Sequence, residues 1–208
     1  MTPKVKKIDS CRISRSKNLV QVLDLGNQVL TGVFPKEKDQ IITSGPLQLV
    51  WCPDSGLLQL HHSYDLDEMY GINYGSRSGL NESMVQHLRS KVSHLMRLRP
   101  VKSGDIVLDI GSNDATLLSA YDVSGLKRIG IDPTGVKFES FYKDGIELVP
   151  DFFSADAYKS KFPEQHAAII TSISMFYDLE RPSDFVANIA KVLDKNGIWH
   201  FEQSYMPT

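Results

Sequence analysis

The feature that most limits what this chain can fold into is an alternation that begins after Pro100. Short, almost wholly apolar runs ("IVLDI", "KRIGID", "IELV", "AAIITSI" and "GIWHFE") are separated by other stretches, several with helical character. Runs this apolar must be buried on both faces, which parallel strands with crossover helices achieve. Helices are expected from about Asp114, through "GVKFESFYKDG", and over "PSDFVANIAKVLD", the last closed by Asn196-Gly197. The fold class is α/β, a Rossmann-like sheet with parallel strands one to five. Ligands on such sheets sit at the carboxyl ends of the strands, beside the switch point.

Upstream the character differs. Residues 11–62 hold short β-like runs, "LVQVLDLG", "PLQLVWC" and "GLLQL", broken by Gly, Pro and Asp. From Asn81 to Arg99, Met84, Val85, Leu88, Val92, Leu95 and Met96 fall at helical spacing, and Pro100 ends that helix. The expected division is a small β-rich domain over 1–70, a linker and helix over 71–100, and a core over 101–208. With 208 residues, 41% of them hydrophobic, the chain can bury one domain plus a smaller unit. A net charge of −2 gives no electrostatic case for nucleic acid or an anionic membrane. Lys4, Lys6 and Lys7 read as a solvated arm. No apolar run approaches a membrane span, the first ten residues lack a signal-peptide core, and two cysteines make no disulfide framework. The expected location is the cytoplasm.

The loop Asp109-Ile-Gly-Ser-Asn-Asp114 follows the first sheet strand but carries a single glycine, Gly111. A dinucleotide fingerprint needs a second glycine so that backbone can approach a pyrophosphate. A smaller anion therefore suits this turn, where N–H groups and an expected helix N-terminus favour negative charge. S-adenosylmethionine fits: its carboxylate can meet Gly111, Ser112 and Asn113, and its ammonium Asp109. Asp132, followed by Pro133 at the end of the second strand, can accept bonds from ribose hydroxyls. Asp151 can take the adenine amino group while Phe152 or Phe153 covers the ring. Equally, Asp109 and Asp132 read as caps of strands and turns, and the phenylalanines as core.

The ordered set "VLDIGSNDATLL", "GIDP", "DFF" and "FEQSYMP" resembles the S-adenosylmethionine-dependent C-methyltransferases of nucleotide-linked keto-deoxysugars. "CRIS…LDLG…PLQLVWCPDSGLLQL" resembles that family's small zinc-binding domain, and "YGSRSGLNESMVQH" its linking segment. The likeness covers essentially the whole chain. It implies that Asp109, Gly111, Asn113, Asp132 and Phe153 line the cofactor site, and that the substrate is a nucleotide-sugar.

Several positions depart from the family. Its two Cys-x-x-Cys pairs read here Cys11-Arg-Ile-Ser14 and Cys52-Pro-Asp-Ser55. Serine is a poor zinc ligand, because its hydroxyl must lose a proton at high cost. No zinc is therefore expected, His61 and His62 read as ordinary strand-end residues, and a Cys11–Cys52 disulfide is a minor alternative. Without metal, the small domain is expected to be held by burial of Leu47, Leu49, Leu57 and Leu60. Ala115 stands where a loop glycine is expected, and Ser76 where a second tyrosine is expected, leaving Tyr74 and Arg77. The sequence given stops after strand five, whereas the family sheet has seven strands. The stretch expected to supply the catalytic base lies beyond Thr208, so Tyr74, Tyr177 and Glu202 are candidate substrate contacts only. Strand five would then form an open edge able to pair with a second copy. The alternatives are a non-catalytic cofactor- or partner-binding module and, disfavoured by the glycine-poor loop, a nicotinamide-dependent sugar oxidoreductase.

Overall fold

The structure is a computed structural model that describes residues 5–30, 37–70 and 74–204. Lys4 and the Tyr-Met-Pro of the final motif lie outside the described residues. The chain divides into two compact units, one of 1–76 with 180–183 and one of 77–179 with 184–208.

In the first unit, β1 (Val5–Lys7) pairs antiparallel with β5 (His62–Tyr64). Strands β2 (Val20–Val29), β3 (Ser44–Trp51) and β4 (Leu58–Leu60) form an antiparallel sheet in that order. Lys6 and Lys7 are thus strand residues opposite Ser63 and His62, which corrects the expectation of a solvated arm. Ladder hydrogen bonds fix their backbone while their side chains stay in water. The expected leucine core also fails. Leu47, Leu49 and Leu57 are half-buried and Leu60 is exposed, whereas Cys11, Leu30, Val50 and Cys52 are the buried apolar groups. A short helix, α1 (Leu66–Tyr70), follows β5.

The second unit opens with α2 (Glu82–Leu98), where the Asn81 side chain accepts the Ser83 N–H as an N-cap. Leu88, Val92 and Leu95 form its buried stripe. The sheet follows as β6 (Ile106–Ile110), β7 (Lys127–Ile131), β8 (Ile146–Val149), β9 (Ala167–Ile173) and β10 (Leu193–Glu202). Its order is β10-β9-β6-β7-β8 and every pairing is parallel. The order reverses at β6, so the switch point lies between β6 and β9, beside the Asp109 loop. One apolar cluster, built on Leu108, Ile129, Ile131, Tyr158, Ile170 and Ile189, packs on one face; another, built on Leu95, Val107, Leu118 and Ile169, packs on the other.

Two expected helices are not α-helices. After β6 the chain makes turns and one 3-10 turn, Leu118–Ala120. Asn113 and Ala115 have φ of 51° and 59°, which no right-handed helix accepts, and Asp114 folds its carboxylate onto Thr116. The second, Pro133–Phe141, is a 3-10 segment broken at Phe138. A run with Gly, β-branched and aromatic residues has weak helical preference, and Asp132 holds its first turn tightly. A helix absent from the sequence reading, α3 (Ala155–Lys161), starts where Ser154 Oγ accepts the Ala157 N–H. Helix α4 (Pro182–Val192) forms as expected, but β10 begins at Leu193, so Asn196-Gly197 lies within an irregular strand start and closes no helix. Among the described residues no helix is long and apolar enough to cross a membrane.

Candidate cofactor site

The sheet register places the candidate acids. Asp109 lies opposite Gly130 on one side and Thr171 on the other. Its carboxylate is buried and accepts the Thr171 hydroxyl at 2.5 Å. Burial pushes its pKa up to about 7, against the Thr171 bond, with the nearby Asp132 charge adding to the rise. A cationic group placed beside such a buried carboxyl would draw it back to the ionised form.

Loop 111–115 reverses hand repeatedly: Gly111, Asn113 and Ala115 all have positive φ. Gly111 takes φ of 73° without a Cβ penalty. Ala115 takes 59° in a buried position, so the glycine expected there would relieve strain that alanine retains. Alternating handedness gathers N–H groups into a concavity suited to an anion. Several are engaged within the protein: Gly111 N–H bonds Ile131 O at 2.9 Å, and Asn113 N–H bonds Asp132 Oδ2 at 2.7 Å. The expected helix N-terminus is absent, so anion binding here would rest on loop N–H groups without a helix dipole.

Asp132 is buried and already ligated. Oδ1 accepts the Thr134 N–H and hydroxyl, both at 2.6 Å, while Oδ2 accepts Asn113 N–H. The capping role expected of Asp132 is thus the one these bonds display. A carboxylate has about four lone-pair sites, and the Thr134 hydroxyl can rotate away, so ribose hydroxyls could still be received. Pro133 opens the following 3-10 segment at its first position.

Sequence reading missed the groups that hold this loop. Tyr142 hydroxyl bonds Ser112 Oγ and Asn113 O, both at 2.8 Å. A Cβ on Gly130 would run into Ser112 and Tyr142, which accounts for glycine inside a buried strand. Ser78 N–H reaches Asn113 Oδ1 at 3.0 Å, and Gly79 N–H reaches Asp114 Oδ2 at 2.9 Å. Arg77 stacks over Phe141 at 4.5 Å with Asp114 3.8 Å away. Arg77 was already singled out in the linking segment; among the other groups only Tyr142, two residues before the "DG" turn, carried any signal, as a polar-tipped aromatic in an apolar setting.

The remaining candidates have settings of their own. Asp151 is exposed and accepts its neighbour's N–H, from Phe152. Phe153 is half-buried and meets Phe185 edge to face at 5.2 Å, so it serves the core. Tyr74 lies 5.7 Å from the Tyr70 ring. Tyr177 is exposed in a 3-10 turn. Glu202, at the end of β10, is bound by His87 at 2.8 Å and Lys91 at 2.7 Å.

In the small unit, Cys11 Sγ lies 3.2 Å from Ser55 Oγ, and Ser14 Oγ lies 3.6 Å from Cys52 Sγ. Both cysteines are free and buried. Burial opposes ionisation of Cys11, but bonds from Ser14 and Ser55 side chains and from the Ser14 and Ile13 N–H groups hold its thiol down at about 6. A closed structural zinc site takes four Cys or His ligands. Two hydroxyls complete this set, and no cluster of three or more His, Cys, Asp or Glu able to hold a metal forms among the described residues. The residues do not fit a structural zinc.

Residues 11–70 match the family described as "Putative zinc binding domain", and residues 108–201 match "Methyltransferase domain". The first match falls on the small β-rich unit, and the second on the parallel, Rossmann-like sheet. It is 24% identical over 206 residues to C-methyltransferase NovU of Streptomyces niveus, an alignment covering 97% of this chain and 49% of that protein. The chain therefore spans about half the length of that curated relative. Among solved structures, it is similar to a chain of the complex that contains the Haloferax volcanii Trm112 methyltransferase activator. That match has 23% identity and a TM-score of 0.44, over 59% of this chain and 55% of that one. It is also similar to an S-adenosylhomocysteine complex of a methyltransferase from Geobacter sulfurreducens, at 18% identity and a TM-score of 0.39, over 55% and 47%.

Proposed function

We propose that this chain holds S-adenosylmethionine at the switch point of its sheet, and that the whole protein methylates a carbon of a nucleotide-linked keto-deoxysugar. The observation that carries the reading is the pairing of a left-handed, single-glycine loop with buried Asp132 across 2.7 Å. Gly111, Ser112 and Asn113 would receive the carboxylate, Asp109 the ammonium and Asp132 the ribose. Asp151 would reach the adenine amino group, with Phe152, which is 39% exposed, better placed than Phe153 to cover the ring. The cofactor supplies an electrophilic sulfonium methyl that an enolate carbon can attack. Forming that enolate needs a base beside a sugar carbonyl. Tyr74, Tyr177 and Glu202 are proposed to contact the sugar, not to act as that base.

Methylation at carbon is supported by the likeness to the Streptomyces relative, a C-methyltransferase. Cytoplasmic location and a homodimer through β10 complete it; within the described residues β10 pairs only with β9. Calorimetric titration with S-adenosylhomocysteine, and separately with NAD, tests the cofactor. Only the former should bind. Asp132→Ala should weaken it about tenfold to a hundredfold through loss of charge-assisted bonds. A folded variant with unchanged affinity would remove Asp132 from the site, and selective NAD binding would overturn the reading as a whole.

A further inference from the structure

The small unit matches a zinc-binding family while holding two hydroxyls where thiolates are needed. Its two loops nevertheless keep one geometry. Cys11 N–H bonds Ser16 O and Cys52 N–H bonds Leu57 O, each five residues on, at 2.8 and 2.9 Å. Cys11 O accepts Arg15 N–H and Cys52 O accepts Gly56 N–H, each four residues on, at 3.0 and 2.8 Å. Arg15 and Gly56, at equivalent places, are both left-handed, with φ of 62° and 74°. In the first loop, Ile13 and Ser14 N–H groups point at Cys11 Sγ at 3.4 Å, as toward a thiolate.

The side chains meet in two pairs across the loops, Cys11 with Ser55 and Ser14 with Cys52. With metal–sulfur bonds of about 2.3 Å, a tetrahedral site has ligand–ligand edges of roughly 3.8 Å. The two cross-loop contacts here are 3.2 and 3.6 Å. Asn18 Nδ2 reaches Asp54 Oδ1 at 3.3 Å, and Arg12 N–H reaches Gln59 Oε1 at 2.9 Å, so further bonds tie the loops to their surroundings.

We propose that Cys11, Ser14, Cys52 and Ser55 form a metal-free cross-link that retains the positions of a four-ligand site, so that two Ser→Cys changes create a tetrahedral metal centre. Hydrogen bonds among thiol and hydroxyl groups join the loops that a metal would otherwise join. The exposure of Ser14 and Ser55 leaves a path for an ion. The proposal is independent of what the sheet binds.

The test compares the unaltered chain with Ser14→Cys/Ser55→Cys, using elemental zinc content, Co(II) absorption and thermal melting with and without chelator. The unaltered chain should hold well under one zinc per chain and melt identically with chelator. The double variant should hold a single ion, show the spectrum of tetrahedral Co(II)-thiolate, and bind Co(II) roughly a thousandfold more tightly. Its melting temperature should fall on chelation. Stoichiometric zinc in the unaltered chain, or chelator sensitivity of its melting, would overturn the metal-free cross-link. A folded double variant without metal, or one that stays unfolded with zinc, would overturn the claim that the loops retain ligand positions.

Discussion

Strands β2 and β6 both read as strands from their sequence, yet they are opposites in the structure. All five residues of β6 are buried, and all ten of β2 are exposed. β6 has a strand on each side and apolar clusters over both faces, whereas among the described residues β2 pairs only with β3. Val22, Leu25 and Val29 of β2 are 59%, 51% and 62% exposed. Strand preference is local, but burial depends on what later segments bring. The difference extends to the sites: the Asp109 loop leaves a strand fixed by packing, while the Cys/Ser loops are fixed by hydrogen bonds.

The largest expected effect breaks that contrast if it is wrong. Ile129 of β7 is fully buried between layers. Ile129→Ala should cost about 2–5 kcal/mol through lost transfer energy and the cavity left behind. Val22→Ala should change stability by less than about 0.5 kcal/mol. Urea unfolding of both variants decides it, and comparable losses would mean that β2 packs against something in solution.

The same contrast explains what could be read from sequence. The strands of the parallel sheet were legible because sustained apolar runs have few other homes, and helix α4 because its apolar spacing is regular. The segments after β6 and β7 were misread as helices. Their backbone is governed by Asn113, Ala115 and the Asp132 cap, which are particular contacts with no periodic signal. Asp109, Gly111 and Asp132 were placed together by strand register, which follows from topology. Tyr142 and Gly79 were missed because they meet the loop only after the chain has folded back. The small unit's leucines misled because alternation marks a strand face but does not say how fully later contacts bury it: Leu47, Leu49 and Leu57 are only half-buried and Leu60 is exposed.

Two aspartates sharpen the comparison through pH. Asp109 has its folded pKa raised to about 7, so its contribution to stability is full below the unfolded value and lost as pH rises toward and through 7. Asp109→Asn stays neutral, so it should melt at a higher temperature than the unaltered chain at pH 8, with a smaller difference at pH 5. Asp24 of β2 is shifted the other way, its pKa lowered by the Gly26 N–H and then by Gln48. Its contribution is present above the unfolded value and lost as pH falls through the lower folded one. Asp24→Asn should therefore show no change in its stability difference between pH 5 and pH 8. Melting curves at both pH values check the pair, and a pH-independent Asp109 difference would show that its carboxyl is not held protonated by burial.

The smallest expected effect concerns one hydroxyl in each unit. Tyr142 bonds both Ser112 Oγ and Asn113 O, whereas Tyr64 donates to Pro46 O at 2.7 Å. Tyr142→Phe leaves two loop groups to find other partners and should cost about 1–2 kcal/mol; Tyr64→Phe should cost about 0.5–1.5 kcal/mol. The more telling readout is binding. Tyr142 fixes the carbonyl of the residue whose N–H is held by Asp132, so its loss should loosen the loop and weaken S-adenosylhomocysteine several-fold. Tyr64 belongs to the other unit, and its loss should leave that affinity unchanged. Calorimetry on the two folded variants separates the cases. Equal affinities would mean that the loop is held adequately by Asp132 and the Ser78 and Gly79 N–H groups, with Tyr142 serving stability alone.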